Sequence, residues 1–125
     1  MKRLILPLPP SVNHSHRQVV NGHRVMRVPT VSTKEFMTES GWRAVQWARQ
    51  NQWQTVDGQK VVLRYWIFWP DKKKRDAGNV EKVMTDSLIG ILFRDDRWVL
   101  PRAMDFSVDR KNPRVELELE VMDVS

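Results

Sequence analysis

The sequence predicts an α+β fold, a mixed β-sheet with two main helices packed on it, in a single domain spanning residues 1–125. Three observations carry this expectation. The stretch KVVLRYWIFW, residues 60–69, is dense in β-branched and aromatic side chains and too short for a typical helix, so it reads as a central strand. RVELELEV, residues 114–121, alternates with period two, the mark of a strand with one wet face. Helical patterns interleave with these strands, which places helices on a sheet. A chain of 125 residues is long enough for one ordinary hydrophobic core and too short for two.

In chain order, Leu4, Leu6 and Leu8 alternate with Ile5 and Pro7 in an apolar run that reads as a first strand, ended by PLPPS. Residues 11–28 read as a loop and hairpin. Apolar residues of RQVVNGHRVMRV flank Asn21-Gly22, a dipeptide that supplies the two positive-φ positions of a tight turn. The hairpin carries His16, Arg17, His23, Arg24 and Arg27, and so forms a basic arm. Ser32-Thr33-Lys34-Glu35 fits a capping box that opens a helix running to about Arg49. Met37, Gly41, Ala44 and Ala48 recur on it at helical spacing and are expected to pack closely against a neighbour. Pro70 ends the central strand, since proline removes a ladder donor. A second helix over roughly 78–92, the polar turn FRDDR and strands near 98–108 and 114–122 complete the chain. There is no internal repeat, low-complexity segment or linker.

The formal charge of +6 and a pI near 10.1 point to a polyanionic partner, because lysine and arginine gain affinity by displacing counterions from phosphates. The absence of cysteine excludes disulfides and thiolate metal sites and is compatible with a reducing cytoplasm, where the protein is expected. Prolines 7, 9 and 10 cut the N-terminal apolar run below a signal-peptide core. No stretch approaches the roughly 20 apolar residues of a membrane span, so no membrane partner is expected.

The chemistry concentrates around KRDAGNVEK, residues 74–82, where four cations from Lys72 to Arg75 are followed by a single acid, Asp76. At about 100° per residue, Val80, Val83, Met84, Ser87 and Ile91 gather on one side of the second helix as a core stripe. Asn79, Lys82 and Asp86 fall together on another side. That polar stripe reads either as a solvated face with an ordinary Lys82–Asp86 pair or as part of a site. Asp76 reads either as the helix N-cap or as a metal ligand, magnesium being a hard cation that binds one or two carboxylates. A second acidic source, Asp95-Asp96, lies beyond the helix. A helix of about fifteen residues spans about 22 Å, so the two acidic ends approach only if the chain folds back after it.

PPSVNHSHR near the N-terminus, the basic hairpin, KKKRDAGNVEKVMTDSL, and FRDDRWV about twenty residues beyond Asp76 together resemble the RusA family of Holliday junction resolvases, small phage-type endodeoxyribonucleases. The resemblance runs over roughly residues 4–122 in one order throughout. It implies a RusA-like homodimer that binds four-way DNA junctions and cuts two strands symmetrically, with Mg2+ or Mn2+, in recombination and repair. The host would be a bacterial or phage-infected cell. Asp76 and Asp96 would be the catalytic, metal-holding carboxylates, and Lys82 would stand near the scissile phosphate. Asn79 matches the asparagine after the family's acidic motif and Arg75 the arginine before it. Lys72, Lys73, Lys74, Arg75, Asn79 and the hairpin's Arg17, Arg24 and Arg27 would contact DNA, a solvated charge run being the alternative for any one of the three lysines.

One departure bears on the chemistry. The family pattern is Arg-Asp-x-Asp-Asn, and its second carboxylate is replaced here by Gly78. Loss of an anionic ligand weakens a hard-cation site. Three consequences are open: Asp95 or Asp86 compensates, a water fills the position, or the protein binds junctions and cuts poorly. The rival from another class is therefore a junction-binding protein without nuclease activity. A third reading, an RNA-binding module with tryptophan stacking platforms, draws on the six tryptophans, although most of these lie in expected helices and strands. His14, His16 and His23 invite a zinc reading, but they lie on an apparent loop without a second ligand cluster.

Overall fold

The computed structural model describes residues 2–10, 16–21, 24–29 and 31–122. Its elements are β1 (Leu4–Leu6), β2 (His16–Asn21), β3 (Arg24–Pro29), α1 (Val31–Gln50), β4 (Val61–Trp69), α2 (Ala77–Leu88), β5 (Val99–Val108) and β6 (Arg114–Val121). Four strands form a mixed sheet in the order β1-β6-β4-β5, and β2 pairs with β3 as a separate antiparallel hairpin. The fold is α+β with two helices, as expected. No helix among the described residues is long and apolar enough to cross a membrane.

The sheet is antiparallel at β1–β6 and β4–β6 and parallel at β4–β5. Parallel neighbours cannot be joined by a tight turn, so the chain between them needs a crossover, and α2 is that crossover. The arrangement decides where the acidic residues fall. Asp76 follows the C-terminal end of β4, and Asp95-Asp96 precede the N-terminal end of β5.

One face of the sheet carries the core. Val61, Leu63, Tyr65 and Ile67 of β4 alternate inward, level with Leu119, Leu117 and Val115 of β6, and Leu4 and Leu6 of β1 extend the layer. Phe36, Ala44 and Trp47 of α1 and Val80, Met84 and Leu88 of α2 are buried with them. The opposite face is wet and laced with charge. Arg3 lies 3.7 Å from the Trp66 ring centroid and Arg114 lies 3.9 Å from that of Phe68, and both guanidinium groups also bond Glu116. Leu63 is fully buried in the centre of the packed face. Leu63→Ala should therefore lower unfolding free energy by about 3 kcal/mol in urea titrations, the transfer and cavity cost of a core leucine.

Three local expectations are corrected. Helix α1 begins at Val31, so Ser32 lies inside its first turn and is not the N-cap of a capping box. Its buried stripe is Thr33, Phe36, Ser40, Ala44 and Trp47; Met37, Gly41 and Ala48 flank it half-buried. Helix α2 stops at Leu88, because Ile89 is extended and Gly90 turns the chain at φ 85°. Ile91 therefore leaves the helix and packs instead on α1, where a methyl group at Gly41 would come within 3.3 Å of its Cδ1.

Candidate functional site

The site is assembled where β4 hands the chain to α2. Beyond Pro70, the Asp71 carboxylate accepts from the Lys73 amide at 2.9 Å and from Arg75 Nη1 at 2.6 Å. The same Arg75 nitrogen reaches the carbonyls of Asp71 and Lys73, and the guanidinium lies 5.2 Å from the Trp69 ring centroid. Arg75 is thus first a brace of this turn, while Lys72, Lys73 and Lys74 are exposed. The hydrogen bond from Arg75, aided by the Lys73 amide, lowers the Asp71 pKa to about 2. A depressed carboxylate stabilises the fold above its unfolded pKa of about 3.9 and loses that contribution as pH falls through its folded value. An NMR titration of Asp71 should accordingly show its midpoint near pH 2, and an Arg75→Gln substitution should return it toward the ordinary range.

Asp76 caps α2. Its backbone is extended and its Oδ1 accepts from the Gly78 amide at 2.9 Å, so a negative charge sits at the positive end of the helix. It shares a depression of about 770 Å³ with Lys74, Arg75 and Asn79, floored by Leu8, Trp69 and Val80. A second, smaller groove of about 210 Å³ runs along the other flank of α2. Gly78, Glu81, Lys82, Thr85 and Asp86 form one wall, and Asp96, Val99 and Pro101 the other. The chain does fold back after α2, bringing Asp96 into one groove with Lys82 and Asp86, while Asp76 lines the other depression.

The expected polar stripe is thus divided: Asn79 faces the Asp76 depression, and Lys82 and Asp86 face the Asp96 groove. Gly78 joins the two, since it borders the groove while its amide is held by Asp76. Asp95 turns elsewhere. Its carboxylate caps the short 3₁₀ turn Asp96–Trp98, accepting from the Arg97 amide at 2.9 Å and facing Arg97 Nε at 3.6 Å. The i,i+4 ion pairs among the described residues are Glu39–Arg43 and Asp71–Arg75, so Lys82 and Asp86 do not form the ordinary pair their spacing allows. Only the backbone of the hairpin is described, which leaves the side chains of Arg17, Arg24, Arg27 and His16 outside the described residues, together with all of His14 and His23.

Sequence reasoning missed Tyr65 and Glu81. The Tyr65 hydroxyl, buried beneath α2, donates to Glu81 Oε2 at 2.5 Å. Burial raises its pKa first, followed by the bond to Glu81 and the charges of Glu81 and Asp76, so the phenol stays neutral and remains a donor. Nothing in the spacing of residues 65 and 81 announces the pair, which exists only because the crossover lays α2 over β4.

The groove offers carboxylate oxygens and no sulfur. No three acidic or histidine side chains among the described residues are gathered closely enough to enclose a metal. A magnesium ion needs only one or two carboxylates, the rest of its shell being water and phosphate, so the donors present suit a hard cation. The family model for endodeoxyribonuclease RusA matches residues 7–120, nearly the whole chain. The match takes in both helices and every strand of the sheet except β1, and it stops one residue short of the end of β6. No curated protein matches the chain. With the Asp76, Lys82 and Asp96 positions falling within that match, the chain belongs to the RusA endodeoxyribonuclease family.

Proposed function

We propose that the protein is a metal-dependent endonuclease that resolves four-way DNA junctions by paired, symmetric cleavage. The observation that carries the reading is the groove in which Lys82 faces Asp96 and which Gly78 connects to Asp76. Asp76 and Asp96 would hold Mg2+ or Mn2+, which when bound lowers the pKa of a water and offsets charge on the phosphate. Lys82 presents its ammonium group where the scissile phosphate would lie and adds a fixed positive charge there. Cutting two strands symmetrically calls for two sites, which a homodimer would supply. The working environment on this reading is the cytoplasm of a bacterial or phage-infected cell.

The test is incubation of the protein with an end-labelled four-way junction and Mg2+ or Mn2+, with linear duplex as the control. Paired nicks at symmetric positions of the junction are expected. Full junction binding without product in either metal would sink the nuclease reading and support the binding protein that Gly78 suggests. The RNA-stacking alternative has less to stand on: Trp66, Trp69 and Trp98 each carry an arginine guanidinium over the ring, at 3.7, 5.2 and 5.2 Å from the centroids.

The exposed lysines make a separate prediction. Replacing Lys72, Lys73 and Lys74 together with glutamine should weaken junction binding and reduce the salt slope of log K by about one for each phosphate no longer neutralised. Filter binding or fluorescence anisotropy across a salt series reads this directly. An unchanged slope would return the three lysines to the status of a solvated charge run.

A further inference from the structure

We infer that Phe106 recognises the branch point of the junction: its ring stacks on a base left without a stacking neighbour at the crossover and so sets which phosphate lies beside Asp76. The inference rests on the reading of the protein as a junction nuclease.

Phe106 is 69% exposed, the most exposed large apolar side chain among the described residues. A bulge aims it. Tyr65 pairs with Ala103 and Trp66 with Asp105, so Met104 is an extra residue in β5. Without that residue Phe106 would stand level with Phe68 on the wet face; with it, Phe106 comes level with inward-facing Ile67, on the face that carries the helices. There it borders both the Asp76 depression and a second one of about 440 Å³ lined by Asp71 and the run from Lys72 to Arg75.

These surroundings select a nucleic acid. Trp66, Trp69, Trp98 and Phe68 each hold an arginine over the ring, whereas among the described residues no guanidinium covers Phe106. Trp42 is also exposed, but it lies on α1 and borders neither depression. An open aromatic face beside a run of cations is the combination that binds unpaired bases, the ring taking the base and the cations the backbone. Continuous duplex keeps its base faces covered. The exchange of strands at a four-way junction lets the stack open, so the ring gains a partner at the branch and not along a linear arm.

A second copy of the chain fits this face less well. A two-fold contact over it would set the lysine runs of both copies together, where like charges repel. The Phe106 amide also donates to the Asp105 carboxylate at 2.8 Å, which blunts the open edge of β5 against another strand.

The measurement is fluorescence anisotropy with a four-way junction and with linear duplex, in the absence of divalent ions so that cutting does not enter. Phe106→Ala should weaken junction binding about tenfold and leave duplex binding unchanged, and Phe106→Trp should retain the junction affinity. A junction carrying 5-iododeoxyuridine at the branch should photocrosslink to Phe106, a contact that a merely structural role would not produce. Unchanged junction affinity in Phe106→Ala, or an equal loss for junction and duplex, would overturn the inference and leave the nuclease reading to its own cleavage test. Conversion of a dimer to a monomer by Phe106→Ala in sedimentation velocity would overturn it too, assigning the ring to a subunit contact. A junction-selective loss in Phe106→Ala, with no nicks from the unaltered protein in Mg2+ or Mn2+, would uphold branch recognition by Phe106 and bring down the nuclease reading alone.

Discussion

Asp76→Asn should reduce junction cleavage by about 10³-fold while leaving the melting temperature of the protein where it is. The two halves of this expectation come from the two jobs of one side chain. As an N-cap, Asp76 provides an oxygen that accepts from the Gly78 amide, and asparagine provides the same oxygen with nearly the same capping strength. As a ligand it provides negative charge, which asparagine does not. The substitution separates the jobs where alanine would confuse them, because Asp76→Ala also loses the cap and about 1 kcal/mol of stability. Single-turnover cleavage at saturating protein, with thermal denaturation of the same samples, makes the comparison. Retained cleavage with an unchanged melting temperature would leave Asp76 as a cap and nothing more.

The parts of the fold that are legible in the sequence are those with a local physical signal. Period-two alternation in RVELELEV maps onto β6, whose residues Val115, Leu117 and Leu119 are buried between exposed or half-exposed neighbours. Asn21-Gly22 implies a hairpin, and Asn21 of β2 does pair with Arg24 of β3. Asp76 before a helix is legible as a cap for the same reason: its chemistry is complete within three residues.

What stays hidden depends on where distant segments meet. The end of α2 depends on Gly90, whose φ of 85° turns the chain toward Phe93 and α1; a glycine late in a helical pattern does not declare this by itself. The buried stripe of α1 departs from the expected one because small size marks close approach without marking direction, whereas Phe36 and Trp47 are the side chains that reach the core. The placing of Asp96 and Lys82 on one groove follows from the parallel pairing of β4 and β5, which forces a return along α2. Tyr65 and Glu81 meet for the same topological reason, and no motif contains both.

Lys82 carries the other large effect. Lys82→Gln should lower the cleavage rate by about 10²-fold and change the unfolding free energy by no more than about 0.5 kcal/mol. The side chain is exposed on α2 and makes no ion pair with Asp86, so the fold does not depend on its charge. Among the described residues, its place in the Asp96 groove is the feature that gives the ammonium work to do. Lys82→Arg distinguishes charge from geometry: a guanidinium keeps the charge but spreads it over a planar fork, so partial activity is expected where a compact point charge serves the phosphate. Single-turnover rates and junction affinities should be measured together. A loss confined to affinity would make Lys82 one more backbone contact, whereas a loss confined to rate places its charge at the transition state, where an ordinary phosphate contact gives no advantage.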